Sequence, residues 1–314
     1  MSRVRILFLG TPEFAVTCLE RLIADDHFEV AAVVTQPDRP AGRKMQLKAS
    51  PVKEVALRRG LQVFSPETVN TQEFRDQIAQ LGCESAVVVA FGQILGTKFL
   101  DLFPRKTVNV HGSLLPRWRG AAPIQRALMA GDHDSGVALQ IVVKKLDAGP
   151  ILGIRKVALT DSVDAASLYD QLKVLAADLL HVEYMDYLRG NLMPTEQDES
   201  GVTIAPKLEK SEAKIDWQLS ALQVFNHIRG LVMGPVAYGH SPSGAAVKFH
   251  QSRVVKGALK GAPGEVVKVS PEGFQLACGE DALEMLLIQP ESRSRQTAAE
   301  FLRGYPLKLG DRFK

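Results

Sequence analysis

An α/β chain is predicted, with a doubly wound, mostly parallel sheet first and a smaller all-β region after it. Three observations carry this. The runs 4–10, 28–35 and 85–91 are almost purely apolar, as strands buried on both faces are. Segments of helical spacing lie between them, the alternation that builds parallel sheets. Beyond residue 236 the pattern changes to short apolar stretches parted by Gly, Pro and Ser, the rhythm of a small antiparallel barrel or sandwich.

The first run ends at Gly10. Thr11 and Pro12 then read as cap and first turn of a helix whose face carries Phe14, Leu19, Leu22 and Ile23. Strand 28–35 completes a β-α-β unit, but G-T-P-E-F from Gly10 lacks the G-x-G-x-x-G that lets a pyrophosphate approach the backbone. Residues 36–50 read as a structureless loop from Pro37, Pro40 and Gly42. That is long against the roughly 2–6 residues usual for such connections, and it makes the loop a functional candidate as well as a solvated surface. Helix 51–59, strand 61–64 and helix 71–81 follow, and the apolar strand 85–91 should be central.

Residues 107–111 form a further strand, with Asn109 and His111 on one side of it by alternation. Gly112 ends it, 113–116 turns away, and 121–130 has helical composition. Strands 136–143 and 151–159 are expected as a hairpin-like excursion with Asp147 at its tip, and 165–188 as one long amphipathic helix. Pro194, Pro206 and an acidic middle make 190–208 a linker, which divides the chain into domains 1–189 and 209–314. The second should hold a helix at 221–228, several short strands and a last helical turn near 300–303.

A chain of 314 residues is expected to hold two domains, since single cores rarely grow past about 250–300 residues. No window approaches about 18 uninterrupted apolar residues, so no membrane span is expected. Three cysteines, far apart and without a C-x-x-C pair, read as buried thiols of a cytoplasmic protein, with no metal site. The net charge of +3 is unevenly placed. Residues 209–314 hold 14 Lys+Arg against 11 Asp+Glu, while 36–59 hold seven basic groups against Asp38 and Glu54.

Among the histidines His111 stands out. His181-Val182-Glu183 lacks the P-C-x-x-C of zinc deaminases, and His240 and His250 have no ligand at zinc spacing. No G-x-S-x-G elbow exists, so Ser113 is a poor hydrolase nucleophile. Asn109 and His111 together can donate hydrogen bonds to one developing oxyanion, and a carboxylate such as Asp147 can orient the imidazole or take a proton from an attacking amine. That suits acyl transfer between two amine-type nitrogens. A structural polar corner is the alternative, as is a plain turn former for an Asp ahead of Ala-Gly-Pro.

The block N-V-H-G-S-L-L-P-R-W-R-G-A-A-P-I-Q at 109–125 resembles the methionyl-tRNA formyltransferase family. Similarity extends to Q-P-D-R-P-A-G-R at 36–43, S-P-V-K at 50–53, L-D-A-G at 146–149 and K-I-D-W at 214–217. N-x-H-x-S-L-L-P with a later Asp marks the wider group of transferases using 10-formyltetrahydrofolate; the R-W-R-G-A-A-P-I-Q extension and the basic loop are narrower. The resemblance implies a Rossmann-like formyltransferase fold with an OB-like barrel behind it. It also implies formyl transfer from 10-formyltetrahydrofolate to methionyl initiator tRNA by a cytoplasmic monomer. Asn109, His111 and Asp147 would be the catalytic trio, and Ser113, Leu114, Leu115 and Pro116 would line the folate site. Arg39, Arg43, Lys44 and Lys48 would meet the tRNA acceptor stem, with the second domain along its arm. The chain departs from the family at 231–235, where L-V-M-G-P replaces an N-P-W-P segment, and at Pro150, where some relatives carry an acid.

Overall fold

The computed structural model describes residues 3–41, 46–257 and 261–314. In chain order its elements begin with β1 (Val4–Gly10), α1 (Glu13–Ile23), β2 (Phe28–Val34), β3 (Arg39–Ala41), β4 (Gln46–Lys48), α2 (Pro51–Arg58) and β5 (Val63–Phe64). They continue with α3 (Gln72–Ala79), β6 (Ser85–Val89), α4 (Thr97–Leu100), β7 (Thr107–His111), β8 (Arg119–Gly120) and α5 (Pro123–Ala130). Then come β9 (Asp134–Ile141), β10 (Ile151–Ala158), α6 (Ala165–His181), α7 (Glu183–Leu188), β11 (Ile204–Ala205) and α8 (Ala221–Gly230). The last are β12 (Tyr238–His240), β13 (Ala246–Val255), β14 (Val266–Ser270), β15 (Gly273–Ala277), β16 (Ala282–Pro290), β17 (Gln296–Thr297) and α9 (Ala298–Gly304). They form two compact units, one of residues 1–120, 135–157 and 169–204, the other of 121–134, 158–168 and 205–314.

The first unit is built on a seven-stranded sheet of order β10-β9-β7-β6-β1-β2-β5. Strands β5, β2, β1, β6 and β7 run parallel, and β9 pairs antiparallel with β7. The chain leaves β1 toward β2 and later returns to its other side at β6, so the strand order reverses between β1 and β6. In such sheets the ligand crevice lies at the carboxyl ends of the strands near that reversal. All five residues of β6 are buried, as its composition predicts for a central strand. One apolar cluster unites Leu7 and Leu9 with Val34, Val88, Phe91 and Phe99.

Two expectations for this unit are corrected. The excursion 36–50 is a hairpin in its described part: Arg39, Pro40 and Ala41 face Lys48, Leu47 and Gln46 across a two-stranded antiparallel ribbon. Its base is clamped, because the hydroxyls of Thr35 and Ser50 share a hydrogen bond at 2.7 Å and Lys53 Nζ donates to Asp38 Oδ2 at 2.8 Å. Ser50 also caps α2 by accepting the Lys53 N–H, with Pro51 at the first helical position. The second correction concerns 165–188, which is two helices parted at Val182. At that break His181 is drawn to Asp25, which also binds His27; both imidazole Nδ1 atoms lie 2.7 Å from its oxygens.

In the second unit an antiparallel sheet of order β12-β13-β16-β15-β14, with β17 on β16, wraps an aromatic core of Trp217, Phe249, Phe274, Phe301 and Phe313. These pairings do not close into a barrel. Residues 311–314 instead bind both rims: His240 and Lys314 exchange two backbone hydrogen bonds, while Phe313 N–H donates to Gly264 and Val266 N–H to Asp311. Helix α5 belongs here, packed on α8, where Gly230 admits Met129: a Cβ at Gly230 would lie 2.7 Å from its Cγ. The three cysteines are buried, and burial pushes the Cys83 thiol up to about 11 and Cys278 to about 12. No helix among the described residues is long and apolar enough to cross a membrane.

Burial acts to raise the Asp25 carboxyl, but hydrogen bonds from His27 and His181 outweigh it and hold the group below 3.8. A depressed carboxyl stabilises the fold above its unfolded value and loses that contribution as pH falls through its folded value. Asp25→Asn should therefore lower stability in urea at about pH 7, with the gap to the parent narrowing toward about pH 3. A gap of constant size across that range would show that the charge of Asp25 is irrelevant.

Candidate active site

Asn109 and His111 end β7, one strand beyond the reversal of strand order. Period-two alternation keeps them on one side, and the ladder sets Asn109 opposite Gln140 and His111 opposite Ala138 of β9. Asn109 is half-buried, and its side-chain amide has no hydrogen-bond partner among the described residues. His111 is buried and committed on one side, with Nε2 2.8 Å from the carbonyl of Trp118. A carbonyl only accepts, so Nε2 carries a proton and Nδ1 is the ring atom left for chemistry.

Asp147 approaches from the loop joining β9 to β10. Its Oδ2 accepts the Gly120 N–H at 2.9 Å, and its Oδ1 accepts from Gln140 Nε2 at 3.1 Å. His111 Nδ1 lies 3.7 Å from Oδ2, within ion-pair range and beyond a hydrogen bond. The structure therefore brings His111 and Asp147 together and sets Asn109 two residues before His111 on the same side of β7, opposite the Gln140 that holds Asp147. Asp147 has φ +47° and Trp118 φ +64°, in the left-handed region; Asp tolerates it, but for a bulky side chain such as Trp118 it is strained. Such strain gathers where surrounding contacts over-determine a functional geometry.

The turn 113–116 divides its labour. Ser113 is buried and its hydroxyl donates to the Arg117 carbonyl at 2.6 Å, closing the turn. Leu115 is buried, whereas Leu114 and Pro116 stay half-exposed. Leu114 packs over Gly136, where a Cβ would come within 2.5 Å of it and 2.1 Å of the Arg155 carbonyl. Arg39 and Lys48 are exposed on the β3–β4 ribbon, which rises from the carboxyl end of β2, the same sheet edge as His111; Arg39 pairs with Glu67 at 3.0 Å. Arg43 and Lys44 lie outside the described residues.

Sequence reasoning missed three members of this site. Gln140 had a signal, as an amide inside the apolar run V-A-L-Q-I, and buried polar residues are the informative ones. Arg119 stands in R-W-R, where sequence shows only two cations around an indole. In the structure Arg117 lies over the Trp118 ring at 4.4 Å, while Arg119 is 2% exposed and bound to Gln197 and Glu199. Nothing local marks Gln197, which lies 78 residues along the chain from Arg119. Glu199 is held at about 2 by the Arg119 guanidinium and then the Lys145 ammonium.

Comparison with known proteins gives this constellation its class. The family described as formyl transferase matches residues 3–182, and its C-terminal domain matches 207–306. Solved structures agree at the level of fold. An N-formyltransferase from Helicobacter canadensis has a TM-score of 0.65 at 15% identity, covering 92% of this chain and 100% of its own. HypX from Aquifex aeolicus with tetrahydrofolic acid has a TM-score of 0.62 at 19% identity; it covers 100% of this chain, which spans 51% of that protein's length. The sequence narrows the class further. A methionyl-tRNA formyltransferase from Bdellovibrio bacteriovorus is 54% identical over 315 residues, covering 99% of each chain. The chain belongs to the methionyl-tRNA formyltransferase family.

The Asp147 loop leaves no room at Gly149, where a Cβ would sit 1.7 Å from the Ile141 carbonyl. Gly149→Ala should lower stability by about 1–3 kcal/mol in urea unfolding, the usual cost of overpacking, and should impair activity more than Gly190→Ala does. Equal effects from both substitutions would show that the loop relaxes without disturbing Asp147.

Proposed function

We propose that this formyl transferase moves the formyl group of 10-formyltetrahydrofolate to the α-amine of methionyl initiator tRNA in the cytoplasm. The observation that carries the reading is the convergence of one free amide, one imidazole with a committed Nε2, and one carboxylate at the carboxyl end of β7. The amine nitrogen attacks the formyl carbon, its new C–N bond forms, and the carbonyl oxygen becomes an oxyanion. Asn109 donates to that oxyanion from its free amide. A donor from His111 has to be Nδ1–H, which exists beside the Nε2–H only on the imidazolium. Asp147 accepts the proton that the attacking amine sheds. Collapse of the intermediate breaks the bond to N10 of the folate, which takes up a proton as it leaves.

Folate binding is assigned to 113–116, with Leu114 and Pro116 presented and Ser113 and Leu115 shaping the turn. The basic segment 36–50, with Arg39 and Lys48 on the described ribbon and Arg43 and Lys44 between its strands in sequence, is assigned to the acceptor stem. Residues 1–189 then carry the chemistry and 209–314 hold RNA, joined through 190–208. Relatives that are methionyl-tRNA formyltransferases support the tRNA substrate, and the positive charge of 36–59 suits phosphates.

The decisive assay offers the purified chain 10-formyltetrahydrofolate with methionyl-tRNA and, separately, with an amino sugar nucleotide. Formylation of the sugar alone would overturn the substrate assignment. Within the trio, Asn109→Ala should lower kcat by about 10²–10³-fold, the loss expected for one oxyanion donor. An unchanged kcat with a raised folate KM would make Asn109 a binding residue. Arg43→Ala should raise the tRNA KM and leave folate binding alone, and tRNA affinity should fall with added salt as phosphate counterions are retained. Salt-indifferent tRNA binding would remove the ribbon from the interface.

A further inference from the structure

Behind Asp147 runs a chain of hydrogen bonds with a fixed direction. Arg119 has donors only, and its Nε and Nη2 both point at Gln197 Oε1, at 3.1 and 2.9 Å. That decides which end of the Gln197 amide is oxygen, so Nε2 must face the opposite way. There it donates to the carbonyls of Asp147 and Gly149, each at 2.8 Å, and lies 3.2 Å from Gln140 Oε1. The Gln140 amide is oriented in turn, and its Nε2 reaches Asp147 Oδ1. Gln140 and Gln197 are both at least nine-tenths buried, so water cannot replace these contacts cheaply.

We propose that Gln197 is a positioning residue for formyl transfer, acting through Asp147. It hands the polarity of the Arg119 guanidinium to the 147–149 backbone and to Gln140. Gln140 and the Gly120 N–H then occupy one side of each carboxylate oxygen and leave the other side open toward His111. Without Gln197 the Gln140 amide loses the contact that fixes its orientation. Rotated by half a turn, it would set its own oxygen against Asp147 Oδ1, acceptor against acceptor. The carbonyls of Asp147 and Gly149 would also lose their common donor. The inference rests on the reading of Asp147 as the proton acceptor.

The test compares Gln197→Met, Gln197→Glu and Asp147→Asn, alone and combined, in the full-length chain with both substrates. Gln197→Glu keeps the contact to Arg119 and the shape of the side chain but cannot donate to the two carbonyls. Both Gln197 substitutions should lower kcat by about 10–100-fold, the scale of a catalytic group displaced by an ångström. The KM values should stay within about twofold, since Gln197 is buried behind Asp147. Added to Asp147→Asn, either substitution should cost almost nothing further, because its effect passes through the group already removed. Parental kcat in Gln197→Glu, or full additivity with Asp147→Asn, would overturn the positioning role. Parental kcat in Asp147→Asn would instead sink the reading of Asp147. If Gln197→Met does not fold, Gln197→Glu alone decides.

Discussion

A guanidinium sealed from solvent cannot be left without partners, and much of this site follows from satisfying Arg119. A buried charge left without partners is strongly destabilising, so the fold must supply acceptors wherever that cation is placed. It does so by folding 196–199 back over the first unit, with the Gln197 amide in the interior and Glu199 at the surface taking the outer edge. Thr195 pairs with Ile151 in the same run, and Thr203 accepts the Arg119 N–H. A segment whose prolines and acidic residues read as a connector thus becomes the rear wall of the site. Its polar composition suits both readings, because a linker and a layer bound by side-chain hydrogen bonds draw on the same residues.

The front of the site obeys a different constraint, the geometry of a strand end. Alternation places Asn109 and His111 on one side of β7, but it does not make them equivalent. Asn109 is still inside the ladder, where its backbone is paired and its side chain is free to project. His111 is the last strand residue, and the chain beyond it doubles back through 113–118 until the Trp118 carbonyl meets Nε2. At that meeting Trp118 takes a left-handed conformation, which is costly for a bulky side chain. The strain secures one hydrogen bond and with it the tautomer of the ring.

The parallel sheet was legible because buried runs such as 86–89 leave no polar residue to confuse with a surface, and helical spacing separates them. Asn109 and His111 were legible because a period of two is short enough to read in five residues. Asp147 was only a candidate carboxylate, since an Asp before Ala-Gly-Pro is what a turn would use anyway, and resemblance to a family was needed to set that turn reading aside. The hairpin at 36–50 was hidden because Pro40 and Gly42 signal a loop, and the ribbon depends on clamps, Thr35 to Ser50 and Asp38 to Lys53, each between residues 15 apart. The break at Val182 was hidden for a similar reason: helical composition continues through it, and the interruption sits where His181 reaches Asp25, 156 residues away. Helix α5 was read as part of the first domain from its place in the chain, yet it packs on α8, a partner almost one hundred positions downstream. What sequence could not supply was in each case a contact between distant residues.

The commitment of His111 Nε2 also orders the protons on the proposed reading. The attacking amine must lose one proton and the departing N10 must gain one, so the site needs an acceptor and a donor at different moments. Asp147 is the acceptor by position, with Gln140 and Gly120 holding one side of each oxygen. The donor is the imidazolium Nδ1–H, because Nε2–H is tied to a carbonyl that has no use for another proton. After one turnover Asp147 holds a proton and His111 lacks one at Nδ1, and these two atoms stand 3.7 Å apart. The gap is too long for a hydrogen bond in the resting site, which leaves Nδ1 able to turn to the oxyanion or N10. Closing that gap to hydrogen-bond length once the products have left would let the proton return. A resting distance near 2.8 Å would favour the return and tether the donor away from the substrate. The separation therefore suits a pair that must act on substrate first and on each other afterwards.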